Sequence, residues 1–399
     1  MGGPQRGMKR TIYLDHNATT PLDPRALEAM MPYLTSEFGN PSSATHDWGL
    51  RAREAVEAAR RSVAALIHAE PGEIVFTSGA TESNNLAVKG VLRAAAAGGR
   101  PRHVLTSALE HPSVRESAKA LEPEGVLTSE LPCGPTGVVS TTALPERVTD
   151  ATRLVSVLAA NGELGTLQPV DEVGAFCRER GIPFHTDATQ AVGKIPVDVN
   201  AWKADLLALS SHKIYGPKGV GALYVRSGTA LQPLVTGGGQ EHGFRSGTLN
   251  VAGIVGLGAA AGICREEMVR HTEHLTSLTR ELWEGIQALA SDAVRNGDSE
   301  HQVPGTLNVA FPRIDSGRLM LALDRFAVSA SSACHSGSGE LSPVFSAIGL
   351  DPDLAACSVR FGLGRSTTSE QVRDLLAVLG KAVRRLRGFV PGGPFPGAV

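Results

Sequence analysis

Two ionisable residues stand just past short apolar runs. Lys213 follows Leu206–Ser210 in Ser-Ser-His-Lys-Ile-Tyr-Gly-Pro-Lys-Gly, and Asp187 falls in Phe-His-Thr-Asp-Ala-Thr-Gln. A lysine amine forms a Schiff base with an aldehyde. A carboxylate keeps a pyridine nitrogen protonated, so the pair supplies the two attachments of a pyridoxal cofactor. A solvated loop lysine and a helix-capping aspartate are the plainer alternatives. A phosphate would also have a seat. Gly79-Ala80-Thr81 follows the run Glu73–Thr77 and opens a helical pattern, so its N–H groups can converge on an anion. Ser210 and His212, beside the lysine, add further donors. The turn is neither a Walker loop nor a dinucleotide GxGxxG, which disfavours a nucleotide enzyme.

Cys334 is a third chemical candidate. It sits in Ser-Ala-Ser-Ser-Ala-Cys-His-Ser-Gly-Ser-Gly-Glu, among small and polar neighbours unlike those of a core cysteine. A Ser/Gly-rich surface loop of this kind is expected to move. His335 and nearby backbone donors are candidates for favouring its thiolate. An unrelated exposed cysteine is the bland alternative. The other cysteines, at 133, 177, 264 and 357, read as small apolar core residues. Without a CxxC pair or disulfide-like density, the five point to a reducing cytosol. No metal site is expected.

These candidates need a scaffold that brings strand ends together. Strands are predicted at Glu73–Thr77, His103–Thr106, Leu154–Ala159, Ile182–Thr186, Leu206–Ser210 and Gly221–Val225. Helices are predicted over Arg51–Ile67, Ser83–Ala97, Ser113–Leu121 and Val170–Arg180. The alternation implies an α/β domain with helices covering a mostly parallel sheet, whose ligands bind at the carboxyl ends of the strands. A helical region from Asn250 to Leu289 leads to a smaller α/β domain with strands at Leu307–Phe311, Ala327–Ser329 and Val359–Phe361. An amphipathic helix over Ser369–Leu386 follows. The expected division is 11–260 for the large cofactor-binding domain, with the N-terminal segment open to joining the small domain. Residues 261–390 form the connecting helix and small domain carrying Cys334, and 391–399 a loose Pro/Gly-rich tail.

The chain has 399 residues, 42% apolar and 20% charged, within the soluble globular range. A net charge of −2 provides no global field toward nucleic acid or an anionic membrane. The longest nearly apolar stretch, Val251 to Cys264, is too short to span a bilayer. The first ten residues lack the apolar core of a secretory signal.

Taken in order, the motifs resemble those of the NifS/IscS-type cysteine desulfurases, in the aminotransferase class V group of fold-type I pyridoxal-5'-phosphate (PLP) enzymes. The resemblance runs from Tyr13-Leu14-Asp15-His16-Asn17-Ala18-Thr19-Thr20 to Arg360-Phe361-Gly362-Leu363-Gly364-Arg365. Between them lie Phe38-Gly39-Asn40-Pro41-Ser42-Ser43, the block from Phe76 to Asn85, His185 to Lys194, His212 to Gly219, and Arg245-Ser246-Gly247-Thr248. The resemblance implies that Lys213 carries the Schiff base and Asp187 faces the pyridine nitrogen. Gln190 contacts the phenolic oxygen, and His111 stacks on the ring and assists proton transfer. Ala80, Thr81, Ser210 and His212 lie at the phosphate. Thr248 reaches the phosphate of a neighbouring subunit, so a homodimer is implied. Arg360 clamps the substrate carboxylate, while Asn17 and Asn40 match positions near the substrate entrance. Cys334 accepts sulfur from L-cysteine as a persulfide, L-alanine leaves, and a scaffold or carrier protein takes the sulfur. Each role has a bland rival: a helix cap for His111 and Thr248, a salt bridge or strand-edge charge for Arg360, a satisfied backbone group for Gln190.

The sequence departs from the pattern at three places. Gly162, in Ala160-Asn161-Gly162-Glu163, stands where relatives carry a second Asn that contacts the phenolic oxygen. Ser211 replaces a glycine, and Leu341-Ser342-Pro343-Val344 replaces a Pro-Ser-His/Tyr-Val pattern. A PLP-dependent selenocysteine or other C–S lyase therefore stays open, as does a weakly active homologue scaffolding a sulfur-transfer complex. Iron–sulfur assembly, tRNA thiolation, DNA sulfur modification and specialised sulfur biosynthesis all stay open as destinations.

Overall fold

The computed structural model describes residues 11–96, 99, 101–330 and 342–388. After β1 (Ile12–Tyr13), seven strands build the large sheet: β2 (Ile74–Thr77), β3 (Arg102–Ser107), β4 (Val126–Leu131), β5 (Thr152–Ser156), β6 (Phe184–Asp187), β7 (Leu206–Ser210) and β8 (Gly221–Val225). Their order is β2-β8-β7-β6-β5-β3-β4. All neighbours are parallel except β8, which runs antiparallel to both β2 and β7. The strands read as continuous apolar runs because both faces are covered. Ile74, Phe76, Leu207 and Leu209 enter one core, while Val75, Leu206 and Ala208 enter the other. That is the period-two alternation of a strand turned into two interiors.

Strand β2 lies at the sheet edge, and a buried ion pair satisfies its outer side. Arg60 donates to both Glu241 oxygens at 2.8 Å and to the Ile74 carbonyl at 2.6 Å, while the Phe76 N–H donates to Glu241 at 2.7 Å. The edge that would otherwise invite another strand is closed.

The smaller sheet contains β9 (Val294–Asn296), β10 (Thr306–Ala310), β12 (Ser329–Ala330) and β13 (Ser358–Gly362), in the antiparallel order β12-β13-β10-β9. A third ribbon pairs β1 with β11 (Phe326–Ala327) in parallel. The single strand predicted over Ala327–Ser329 is thus two strands on two sheets, divided at Val328. The helix Val251–Leu289 belongs to both halves. Ile254, Leu257, Ala260 and Cys264 pack in the large core, and Leu275, Leu278, Leu282 and Ile286 in the small one. No described helix is long and apolar enough to cross a membrane.

Candidate active site

A cavity of about 590 Å³, open to solvent, lies at the carboxyl ends of the large-sheet strands. The volume suits a cofactor-sized ligand. Its wall includes Ala80, Thr81, His111, Asp187, Gln190, Ser210, His212 and Lys213, together with Asn17 and Arg360. Segments far apart in sequence therefore deliver ten of the expected residues to one space. Thr248 and Asn40 are not among the lining residues; both are exposed. Asn40 caps a local turn, accepting the Ser42 N–H at 2.9 Å, and Asn250 rather than Thr248 caps the helix that follows. Cys334 lies outside the described residues.

At one end of the cavity, β2 passes through Gly79 into the helix Ala80–Ala94. Gly79 has φ +150°, a region that L side chains rarely adopt. A Cβ on the adjacent Gly221 would fall 2.7 Å from the Gly79 Cα, so the two glycines allow the loop to lie against β8. The first-turn N–H groups have no intrahelical partner and carry the positive end of the helix dipole. Ser210 and His212, from the end of β7, lie on the same wall. Burial, reinforced by Lys213 and Lys218, pushes His212 down to about 4. Its neutral ring accepts or donates through Nδ1 at the Thr19 hydroxyl, 3.0 Å away.

Asp187 ends β6 and is nearly buried. One oxygen accepts the Thr189 N–H at 3.0 Å, and the other accepts Asn84 Nδ2 at 2.7 Å. The second Asn84 hydrogen goes to Ser113 Oγ at 2.8 Å, and Ser113 in turn lies 2.7 Å from His111 Nδ1. The Ser113 N–H also donates to that nitrogen, so a neutral His111 carries its proton on Nε2. His111 is both the helix cap and a cavity residue. Burial lowers its pKa, against the pull of Asp187, which favours the neutral ring. Asn84 stands in the Thr-Ser-Gly-Ala-Thr-Glu-Ser-Asn-Asn block, yet its bridging role depends on two segments that sequence spacing does not bring together.

Lys213 Nζ donates to the carbonyls of Asn17 and Ala18, the latter at 2.9 Å. Arg360, from β13, is 6% exposed. It pairs with Asp15 at 2.8 Å and donates to the Gly162 carbonyl at 3.0 Å. The salt bridge and the cavity position coexist, and among the described residues the buried Arg360 Nε has no hydrogen-bond partner. Gln190 likewise satisfies a backbone group, donating Nε2 to the Asn17 carbonyl at 3.0 Å, while lining the cavity. Beside His111, Glu110 accepts from Ser107 and the Leu158 N–H, both at 2.7 Å, and burial pushes its carboxyl up to about 8. The described chain resumes at Ser342, whose hydroxyl donates to Glu163 at 2.9 Å. This ties the substituted Leu-Ser-Pro-Val segment to the loop that carries Gly162.

A helix N-terminus, a fixed carboxylate and a lysine amine lining one cavity fit a phosphorylated pyridine aldehyde. Among the described residues no group of three or more His, Cys, Asp or Glu side chains is placed to hold a metal. The two sheets and this donor set define a fold-type I PLP enzyme architecture. A profile of the family described as aminotransferase class-V matches residues 12–375. The chain belongs to that family, in its NifS/IscS-type cysteine desulfurase group. It is 46% identical over 382 residues to the cysteine desulfurase IscS of Rickettsia bellii, covering 95% of this chain and 93% of the relative. It is 50% identical over 384 residues to the mitochondrial cysteine desulfurase of Drosophila melanogaster, covering 96% and 83%. A solved NifS-like protein superposes with a TM-score of 0.87 at 37% identity, covering 94% of this chain and 99% of that one.

Proposed function

We propose that this cavity holds PLP and converts L-cysteine to L-alanine, passing the sulfur through a persulfide on Cys334. The observation that carries the cofactor assignment is the convergence of Lys213, Asp187, Arg360 and the Gly79–Thr81 turn on one cavity. PLP, when bound, supplies an electron sink that makes the substrate Cα proton acidic and the C–S bond cleavable.

The chain's own residues do the rest. The N-terminus of the Ala80–Ala94 helix, Ser210 and His212 hold the phosphate, and Asp187 keeps the pyridine nitrogen protonated. Asn84 fixes that carboxylate. Arg360 meets the substrate carboxylate as a guanidinium fork. Lys213, once released to its amine, takes the proton from Cα. His111 moves a proton at the substrate sulfur through Nε2. The Cys334 thiolate attacks that sulfur, the S–S bond forms as C–S breaks, and the bonding electrons pass to carbon, which takes a proton to become alanine. The new persulfide is handed to a thiol of an acceptor.

Thr248 supports a homodimer, since it is exposed and away from the cavity of its own protomer. An exposed stacked pair, Phe38 and Trp48, with Leu34 and Leu50 nearby in sequence, adds an apolar face for a second copy. A sulfur-accepting scaffold or carrier is the partner, and a cytoplasmic location suits a persulfide that must escape oxidation. The described cysteines are all free. Intact-protein mass analysis after L-cysteine, with alanine assayed in parallel, tests the reading. One added sulfur per chain and alanine in step support it, while pyruvate and ammonia without protein-bound sulfur would replace it with β-elimination.

A further inference from the structure

Lys194 belongs to no role assigned above. It sits at the edge of a small second cavity of about 30 Å³ behind the cofactor site, which Asn17 and Lys213 also line. Its Nζ donates to Gln190 Oε1 at 2.7 Å. The other charged or titratable residues around that cavity are His16, Lys213, Tyr215, Cys264, His271 and Arg365, and none of its lining residues is a carboxylate. Burial, with the nearby charges of Lys213 and Arg360, pushes the Lys194 amine down to about 7.

A primary amide can face its neighbours in two ways, and its partners decide between them. As an ammonium Lys194 only donates, and as the neutral amine above about pH 7 it still has N–H groups to give, so it holds Oε1 on its own side. The Asn17 carbonyl only accepts, and it takes Nε2 at 3.0 Å. Both constraints agree, and Nε2 still has a second hydrogen to give. That nitrogen stands 3.1 Å from where a side-chain Cβ at residue 162 would begin. Gln190 therefore delivers its donor to the space that an asparagine at 162 would occupy.

We infer that Lys194 is a positioning residue: through Oε1 it holds the Gln190 amide so that Nε2–H faces the cofactor's phenolic oxygen, in place of the donor that Gly162 lacks. The inference rests on the PLP reading. Its hydrogen bond also polarises the amide and strengthens the N–H that is presented. A donor on the phenolic oxygen weakens that oxygen's hold on the proton it shares with the lysine nitrogen, so the proton leaves at lower pH.

The test is a pH titration of the cofactor's visible absorbance in folded holoenzyme, with PLP occupancy measured separately. Lys194→Met should raise the midpoint by about one pH unit, the equivalent of one hydrogen bond to a charged oxygen. Lys194→Arg, which also only donates, should restore the parent value. Loss of a cation alone also raises the midpoint, so a double-mutant cycle is included. Gln190→Leu should raise it, and Lys194→Met in that background should add nothing. An unmoved midpoint in fully loaded Lys194→Met overturns the inference. So does a Lys194→Met shift that persists undiminished in the Gln190→Leu background, because Lys194 would then act through space. Should the Met variant not fold, Lys194→Leu, which likewise donates nothing, carries the same expectations. A parent without a visible cofactor band would instead refute the PLP reading itself, and this inference with it.

Discussion

Arg360→Ala tests whether the buried guanidinium faces substrate or only holds the fold. In the protein it spends one nitrogen on Asp15 and another on the Gly162 carbonyl. Each of those nitrogens carries a second hydrogen, which leaves donor capacity on a side chain that lines the cavity. A hydrogen bond to a charged group contributes about 1.5–3 kcal/mol. Losing it should weaken cysteine saturation roughly 12- to 150-fold. The same substitution strips Asp15 of its cation, and breaking a fully buried pair costs about 3–5 kcal/mol. The Asp15 side chain is 16% exposed, which places this cost below that range. Asp15→Asn separates the effects, because it removes the carboxylate charge and leaves the guanidinium. The assay compares cysteine saturation, PLP affinity and melting temperature in the parent and both variants. Arg360→Ala should raise KM far more than it weakens PLP binding, and Asp15→Asn should change KM much less. Cysteine saturation equal to the parent's in Arg360→Ala would refute the clamp. A primary loss of PLP would make Arg360 a structural residue.

Lys213→Ala should lose both the visible absorbance of lysine-bound cofactor and cysteine turnover; turnover at the parent's rate would remove the assignment. Cys334→Ser should keep bound PLP and its spectrum but load no sulfur on a carrier, since the hydroxyl lacks the thiolate's nucleophilicity, and normal loading would show another relay. Gly162→Asn should fold, its new Cβ needing Gln190 to give by a few tenths of an ångström, and should move the cofactor's pH titration. Superimposable titrations at full occupancy would refute that contact. The Glu110 carboxyl is raised from 4.5 to about 8 in the folded protein, so its protonated form stabilises the fold fully below pH 4.5, and that contribution is lost as pH rises to about 8. Melting temperatures across this window should therefore fall more steeply for the parent than for Glu110→Gln, and parallel curves would contradict it.

The strand ends were legible because β7 and β8 are mainly apolar runs with polar residues at or directly after their ends. Leu206–Ser210 and Gly221–Val225 match the prediction residue for residue. β4 escaped because its Val-Leu-Thr-Ser-Glu-Leu is an edge strand with mostly exposed middle residues. β1 and β11 are two residues each, too short for any period, and their pairing joins positions more than three hundred apart. At the site, Lys213 and Asp187 were marked by their place after or at the end of a strand. Asn84 and Lys194 were not, because what makes them informative is a partner from another segment. Lys194, in Gln-Ala-Val-Gly-Lys, reads as an ordinary surface lysine until Gln190 and the small cavity surround it.

The carbonyls that receive the Lys213 amine ride on a segment fastened at its other side to late sequence. His16 donates its N–H to the Gly362 carbonyl, 346 positions onward, and Gly362 donates back to Leu14. At ~5–20 residues per second, a ribosome needs roughly 17–70 s to make the chain between them. For the last 149 of those positions, about 7–30 s at the same rate, Lys213 and Asp187 exist without the fastened platform that Asn17 and Ala18 form beside the lysine. Sulfur chemistry thus waits for the last strand to clear the exit tunnel, and a chain stopped short of β13 leaves translation with its reactive lysine unseated.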